Sequence, residues 1–103
     1  METEEIISKL TAQFHLNGLE VCNTFWKRLH GLMFSKPKNI VIVLDKESVF
    51  GASIHMLFVF YTIDVYWLDE KFAIVDKRTH LKPFCFASSK RKSKYIVEIP
   101  AIN

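Results

Sequence analysis

The sequence predicts a mainly β fold: a small single-domain β-barrel or sandwich with one short α-helix, over residues 1–103. Several short apolar runs are rich in β-branched residues and separated by turn residues, as strands are. One stretch has helical spacing instead. The chain has the length of one domain, and half of its residues are hydrophobic. This apolar content is enough for one core and excludes a disordered chain.

The first 22 residues predict a β-hairpin. Residues 2–9 form either a frayed turn or an edge strand. Apolar side chains then alternate from Lys9 to His15, and a second apolar stretch covers 19–22. Between them lies Asn17-Gly18, a residue pair that tolerates the positive φ of a tight hairpin turn.

Further apolar runs predict the remaining strands. They cover residues 40–44, 53–60, 63–68, 73–78 and 95–99. Residues 45–48 and 69–71 are predicted as turns, and Pro100 ends the last strand. Since no repeat, low-complexity tract or linker interrupts these runs, we expect a single domain.

One short helix is predicted after the hairpin. Asn23 or Thr24 supplies the side-chain oxygen of an N-cap. Gly31 stands where a left-handed C-terminal cap is expected, which limits the helix to about two turns. Apolar residues at positions i, i+4, i+7 and i+8 form its predicted core face: Phe25, Leu29, Leu32 and Met33.

The termini and the longest apolar run predict a soluble cytoplasmic protein that does not contact a membrane. Residues 1–5 are acidic, whereas a secretory signal begins with basic residues. The apolar run 56–63 is closed by Asp64, far short of the roughly 20 residues that a membrane helix needs.

The two cysteines predict free thiols. Cys22 and Cys85 are far apart in sequence and form no C-x-x-C pair, so they define neither a disulfide framework nor a zinc site. The chain also has four histidines, but their spacing does not suggest metal ligation. We therefore expect neither a metal nor another cofactor.

Several blocks resemble a known family. Residues 28–34 read R-L-H-G-L-M-F and are similar to the R-x-x-G-L-M-F signature of the prokaryotic domain of unknown function 192 family. Further blocks at 52–58, 63–65, 68–69, 81–83 and 94–100 continue the resemblance in order, over about residues 22–100. The S-I-H form at 53–55 resembles the archaeal branch. The resemblance implies a compact β fold with a short helix and supplies no biochemical activity.

Asp64 is the most informative single residue. It lies within an otherwise apolar run, and a buried carboxylate without a partner is costly, so it needs a partner or solvent. One hypothesis is a pocket in which Arg28, His55 and Asp64 bind a polar or anionic small ligand, with Arg28 donating bidentate hydrogen bonds. The alternative is structural: Asp64 accepts from backbone amides at the bend 61–63, and Arg28 merely neutralises it.

The sequence favours a non-enzymatic binding module. It contains none of the G-x-S-x-G, H-E-x-x-H or glycine-rich phosphate-binding motifs, and no paired carboxylates of the glycosidase type. A small ligand in the predicted polar pocket is therefore the leading functional hypothesis, and an enzyme is the less favoured alternative.

Basic residues concentrate between residues 77 and 94. This segment contains no acidic residue, whereas the rest of the chain carries seven basic against eleven acidic residues. With Phe84, Phe86 and Tyr95 interleaved, it predicts an alternative function, the binding of RNA or another polyanion. It is equally consistent with a solvated surface loop. Its basic residues are Lys77, Arg78, Lys82, Lys90, Arg91, Lys92 and Lys94.

The chain has nine phenylalanines but only three glycines. We expect the phenylalanines, including those of the run 56–60, to fill a small core, because apolar stripes at regular spacing are most often buried.

Overall fold

The computed structural model describes residues 3–48, 54–56 and 58–101 of the chain. Two helices and seven strands follow one another in the order α1 (Thr3–Phe14), β1 (Glu20–Cys22), α2 (Phe25–His30), β2 (Ile40–Ser48), β3 (Ile54–His55), β4 (Ile63–Leu68), β5 (Ile74–Leu81), β6 (Phe86–Ala87) and β7 (Ser93–Pro100). The architecture is therefore mixed α/β with mostly β structure.

Five strands form one open mixed sheet in the order β1-β2-β7-β4-β5. β1 pairs with β2 in parallel, and the other neighbours are antiparallel. β3 and β6 form a separate two-stranded antiparallel sheet. Of the predicted alternatives, β-barrel or sandwich, the barrel is thus wrong: within the described ranges, β1 and β5 remain as two edges of an open sheet.

The two faces of the sheet carry two cores. On one face, Ile6 and Leu10 of α1 pack against a cluster that includes Val41 and Val97. On the other face, Leu32 and Met56 pack against a cluster that includes Trp67. Alternate residues of each central strand therefore enter different cores, which explains why these strands read as continuous apolar runs.

The predicted N-terminal hairpin is wrong, since residues 3–14 form helix α1. Ile6 and Leu10 are four residues apart and share the buried helical face. The alternation from Lys9 to His15 was coincidental. His15 adopts a φ of 56°, and the Leu16 N–H donates to the Thr11 carbonyl oxygen at 2.9 Å, so a Schellman-type cap ends the helix. Asn17-Gly18 then lies in the connection to β1.

The short helix after β1 is confirmed, but it is the second of two. The Thr24 hydroxyl accepts a hydrogen bond from the Lys27 N–H at 3.2 Å and caps α2. Gly31 follows the helix with a φ of 51°, and its N–H donates to the Lys27 carbonyl oxygen at 2.9 Å. Both cap positions are therefore confirmed, but the left-handed conformation predicted for Gly31 is not found, because its ψ is −121°.

The strand predictions are confirmed in part. β4 has the predicted limits, and the Asp69 carboxylate accepts from the N–H groups of Lys71 and Ala73 in the predicted turn. The turn predicted at 45–48 is wrong, because β2 continues through Ser48. In the run 53–60, Ile54–His55 is strand and Phe58 lies in a turn, while residues 53 and 57 lie outside the described residues.

Candidate functional site

Arg28 connects α2 to β2 through side-chain hydrogen bonds. Its Nη1 donates to the Val43 carbonyl oxygen at 3.0 Å and to the Asp45 carboxylate at 3.1 Å. The hydrogen bond and the positive charge of Arg28 together lower the pKa of Asp45. The guanidinium is mostly buried while Asp45 is exposed. Arg28 therefore supports the position of the helix.

Asp64 supports an irregularity between β4 and β5. Its Oδ1 accepts a hydrogen bond from the His80 backbone N–H at 2.9 Å. The register between the two strands shifts there, and His80 has a φ of 57°, as expected at a β-bulge. The carboxylate thus does bond a backbone amide, but that of His80 and not one in the bend 61–63.

Arg28 and Asp64 have separate partners. Val43, whose carbonyl oxygen accepts from Arg28, is paired with Tyr95 of β7. Asp64 is paired with Ile99 of the same strand. Tyr95 and Ile99 are four residues apart along β7, a distance of roughly 13 Å. Of His55, the described part is the backbone, which pairs with Phe86 in the small sheet. A ligand site that combines the three residues therefore stays a prediction.

A cleft of about 510 Å³ lies between α2 and β1. Its volume falls in the range of small-molecule sites. We call it the α2 cleft. Nine residues line it: Glu20, Cys22, Trp26, Lys27, Leu29, His30, Gly31, Met33 and Lys38.

The wall of the α2 cleft formed by the helix is largely apolar. Trp26 is 73% exposed and Leu29 about half exposed, and both side chains line the cleft together with Met33. The predicted core face of the helix included Leu29, and this is wrong. Arg28 reaches β2 instead, while Leu29, the next residue of the helix, is about half exposed and lines the cleft.

The charged residues that line the α2 cleft are Lys27, Lys38 and Glu20. Lys38 forms an ion pair with Glu20 at 2.7 Å, which neutralises that carboxylate, and Lys27 is exposed. The Cys22 thiol is buried, and burial together with the nearby Glu20 and Glu98 carboxylates raises its pKa to about 11. The thiol is therefore protonated at neutral pH and a poor nucleophile.

Glu98 is a buried carboxyl group that we did not single out from the sequence. It lies on β7 between Ile40 of β2 and Val65 of β4, and burial raises its pKa to about 8. Burial, and to a smaller extent the Glu98 carboxylate, also raises the pKa of Tyr61. The signal was available: an acidic residue inside the apolar strand 95–99, the same pattern that drew attention to Asp64.

Several phenylalanines lie on the surface, so their prediction as core residues is wrong. Phe34, Phe58, Phe60 and Phe84 form what we call the phenyl surface, with exposed fractions between 45% and 66%. Phe34 stacks on Phe58 with ring centroids 4.7 Å apart. Phe60 contacts Phe34 at 6.4 Å and Phe84 at 5.9 Å. Of the run 56–60, Met56 and Val59 are buried as expected.

Three residues of the phenyl surface have a strained backbone. Phe34, Phe58 and Phe84 adopt φ values of 57°, 58° and 64°, in the left-handed region that favours glycine. Such a conformation costs a residue with a side chain about 1 kcal/mol or more. The strain and the exposure together distinguish this surface from ordinary packing.

The basic residues of segment 77–94 mostly face solvent. Six of the seven are exposed, and Lys94 is half-buried, with its Nζ donating to the Asp45 carbonyl oxygen at 2.8 Å. Lys82 lies closest in sequence to the phenyl surface, in the turn that leads to Phe84. The binding of RNA or another polyanion by this segment stays a prediction.

Two kinds of feature are absent from the described ranges 3–48, 54–56 and 58–101: groups of metal-ligating side chains and helices that could span a membrane. Within them no three His, Cys, Asp or Glu residues are grouped to hold a metal ion. No helix of these ranges is long and apolar enough to cross a membrane. Both cysteines are free thiols, Cys22 buried and Cys85 exposed.

The fold is similar to that of two solved proteins with low sequence identity. A crystal structure from Sinorhizobium meliloti, of a protein assigned provisionally as a transcription regulator, matches with a TM-score of 0.74 and 15% identity, over 81% of this chain and 67% of that one. A protein of unknown function from Novosphingobium aromaticivorans matches with a TM-score of 0.70 and 12% identity, over 81% of this chain and 62% of that one. At these identities the likeness concerns the fold alone.

Sequence comparison identifies archaeal relatives, as the S-I-H block at 53–55 predicts. A UPF0127 protein of Thermococcus sibiricus is 35% identical over 92% of this chain, and the chain spans 62% of its length. A UPF0127 protein of Pyrococcus furiosus is 47% identical over 76% of this chain, and the chain spans 67% of its length. The model of the DUF192 family, described as "Uncharacterized ACR", matches residues 7–102. The chain therefore belongs to the DUF192 (UPF0127) family.

Proposed function

We propose that the protein is a binding module for a small organic anion, which occupies the α2 cleft. The observation that carries this proposal is the cleft itself, since its volume of about 510 Å³ suits a small molecule and its wall is mainly apolar. The ligand class follows from the lining: a ring or short apolar chain that carries a carboxylate, sulfonate or phosphate.

The apolar part of the ligand packs on the wall of the helix. The Trp26 indole offers a large, rigid contact area at low entropic cost, and Leu29 and Met33 extend it. Because Trp26 and Leu29 are already exposed, a ligand that covers them removes apolar surface from water.

The acidic part of the ligand pairs with Lys27. Glu20 already neutralises Lys38 at 2.7 Å, so the Lys27 ammonium gives the lining its excess positive charge. Binding is favoured over covalent catalysis because the Cys22 thiol, with its pKa raised to about 11, is protonated at neutral pH.

The residues predicted from the sequence have a supporting role in this proposal. Arg28 holds α2 against β2 and so fixes one wall of the cleft, while Asp64 supports the pairing of β4 with β5. A direct ligand contact of His55 stays a prediction.

A titration with 8-anilinonaphthalene-1-sulfonate, an aromatic sulfonate that fluoresces on binding, tests the proposal. We expect Trp26→Ala to weaken binding about tenfold because the apolar wall shrinks, and Lys27→Gln to weaken it by a similar factor. Phe60→Ala is the matched control, because Phe60 is an exposed aromatic residue outside the cleft lining. Loss of binding in Phe60→Ala with retention in Trp26→Ala would contradict the proposal.

A further inference from the structure

We propose that the phenyl surface, with Lys36 and Lys82 beside it, binds single-stranded nucleic acid. Bases stack on the exposed rings of the four phenylalanines, and the two ammonium groups contact backbone phosphates. The proposal is independent of the small-molecule function, since none of the four rings lines the α2 cleft.

The rings form a continuous platform. Contacts at 4.7, 6.4 and 5.9 Å link Phe58 to Phe34, Phe34 to Phe60 and Phe60 to Phe84. Backbone hydrogen bonds hold the loops that carry them: the Phe34 N–H donates to the Phe58 carbonyl oxygen, and the Phe84 N–H to that of Met56, both at 2.8 Å. A platform of exposed aromatic rings is what sequence-tolerant binders of single strands use.

The combination of a positive φ with an exposed ring supports a role for these phenylalanines beyond packing. Glycine would adopt the φ values of Phe34, Phe58 and Phe84 with less strain, and the exposed rings contribute little to either core. Phe72 is the instructive contrast. Its φ of 65° is equally strained, but its ring is buried and stacks on Tyr95 at 4.5 Å, so packing explains it.

The charge around the platform favours a polyanion. The segments 31–44, 54–63 and 77–97, which supply the four rings, contain no aspartate or glutamate. Lys36 is two residues from Phe34, and its carbonyl oxygen accepts from the Tyr61 hydroxyl, beside Phe60. Lys82 precedes Phe84 in a turn in which the Cys85 N–H donates to the Lys82 carbonyl oxygen. Both lysines are exposed.

The first test measures binding of fluorescein-labelled oligothymidylate and oligouridylate by anisotropy. We expect at least one of the two oligonucleotides to bind. A comparison of their affinities shows whether the protein prefers DNA or RNA. An abasic oligodeoxynucleotide, with the same phosphates but no bases, should bind at least tenfold more weakly. Equal affinity for the abasic strand, or no binding of either base-containing strand, overturns the proposal.

Phenylalanine-to-glycine variants separate binding from folding. Phe34→Gly and Phe84→Gly should each weaken oligothymidylate or oligouridylate binding about tenfold, while their urea midpoints stay equal to or rise above that of the wild type. Phe72→Gly is the control: its midpoint should fall, and its binding below the transition should be unchanged. Wild-type affinity in both Phe34→Gly and Phe84→Gly overturns the proposal.

The lysines are tested through salt dependence. Replacing both by glutamine, as Lys36→Gln with Lys82→Gln, should lower the slope of log affinity against log salt by about 0.7 for each phosphate that is no longer neutralised. Lys71→Gln is the control, since it lies in the turn after β4, at the opposite end of that strand from Phe60. An unchanged slope in the double variant overturns the assignment of the two lysines.

Discussion

The Asp64 carboxylate on β4 accepts a hydrogen bond at 2.9 Å from the backbone N–H of His80 on β5. His80 lies in the left-handed region, at the point where the register of the two strands shifts. The side chain of Asp64 thus satisfies an amide that the bulge removes from regular pairing. This structural role explains why an acidic residue stands in an otherwise apolar strand.

Removal of the Asp64 acceptor should destabilise the fold. We expect Asp64→Ala to lower the free energy of unfolding by about 1 kcal/mol, because the His80 amide loses its partner. Asp64→Asn retains an oxygen acceptor and should stay close to the wild type. Urea unfolding checks both variants. If Asp64→Asn keeps its stability but loses small-molecule binding, Asp64 contacts the ligand and the structural account is wrong.

Arg28→Ala should also destabilise the protein. The Val43 carbonyl oxygen loses a charged donor and α2 loses its connection to β2, so we expect the free energy of unfolding to fall by about 2 kcal/mol. Asp45→Asn is the matched control, and its effect should be smaller because Asp45 is exposed. Equal losses in the two variants would mean that the ion pair, and not the bond to Val43, holds the helix.

Gly31→Ala should be costly, whereas Gly18→Ala should not. Gly31 has a φ of 51° and a ψ of −121°, a combination that strains any residue with a side chain by roughly 1–3 kcal/mol. A Cβ there would meet only ordinary contacts, the nearest being the Arg28 carbonyl oxygen at 3.8 Å, so the cost comes from the backbone. At Gly18 a Cβ meets nothing within 4 Å. Thermal unfolding compares the two variants, and equal midpoints would contradict the predicted strain.

Glu98 should make stability fall with increasing pH. Its folded-state pKa of about 8 lies above the usual value of 4.5, because burial disfavours the charged form. The contribution of Glu98 to stability is therefore fully present below about pH 4.5, where Glu98 is protonated in both the folded and the unfolded state. That contribution is lost as the pH rises to 8, and the loss amounts to roughly 4 kcal/mol.

Glu98→Gln provides the measurement, since glutamine has a similar shape and does not ionise. The variant should be more stable than the wild type at pH 8, and the difference should shrink steadily toward pH 4.5. Urea unfolding across this pH range gives the difference directly. A difference that does not vary with pH would show that Glu98 keeps an ordinary pKa.

The elements with strong local signals were predictable from the sequence. The capping oxygen of Thr24 and the flexible Gly31 marked both ends of α2, and the turn at Asp69 separated β4 from β5. These signals act within a few residues, so no tertiary information was needed.

The remaining errors come from tertiary context. Residues 3–14 have both alternating and helical apolar spacing, and packing of Ile6 and Leu10 on the sheet decides for the helix. A sequence pattern also does not reveal whether a sheet closes. The phenyl surface was missed because exposure of a phenylalanine depends on neighbours distant in sequence, as in the stacking of Phe34 on Phe58.

The site predictions show the same limit. The position of Asp64 within an apolar run correctly indicated that its carboxylate needs a partner. The sequence could not identify that partner as the His80 amide, because the register of β4 and β5 was unknown. The α2 cleft depends on which side of the helix faces the sheet. Arg28 decides that orientation through its bond to Val43, which lies 15 residues further along the chain.

The most direct test of the central claim is a chemical-shift titration of ¹⁵N-labelled protein with 8-anilinonaphthalene-1-sulfonate. Occupation of the α2 cleft predicts the largest changes at the Trp26 indole N–H and at the backbone amides of Cys22, Lys27 and Met33, which line the cleft. Changes confined to Phe58, Phe60 and Phe84, with the amides of the cleft unmoved, would contradict it.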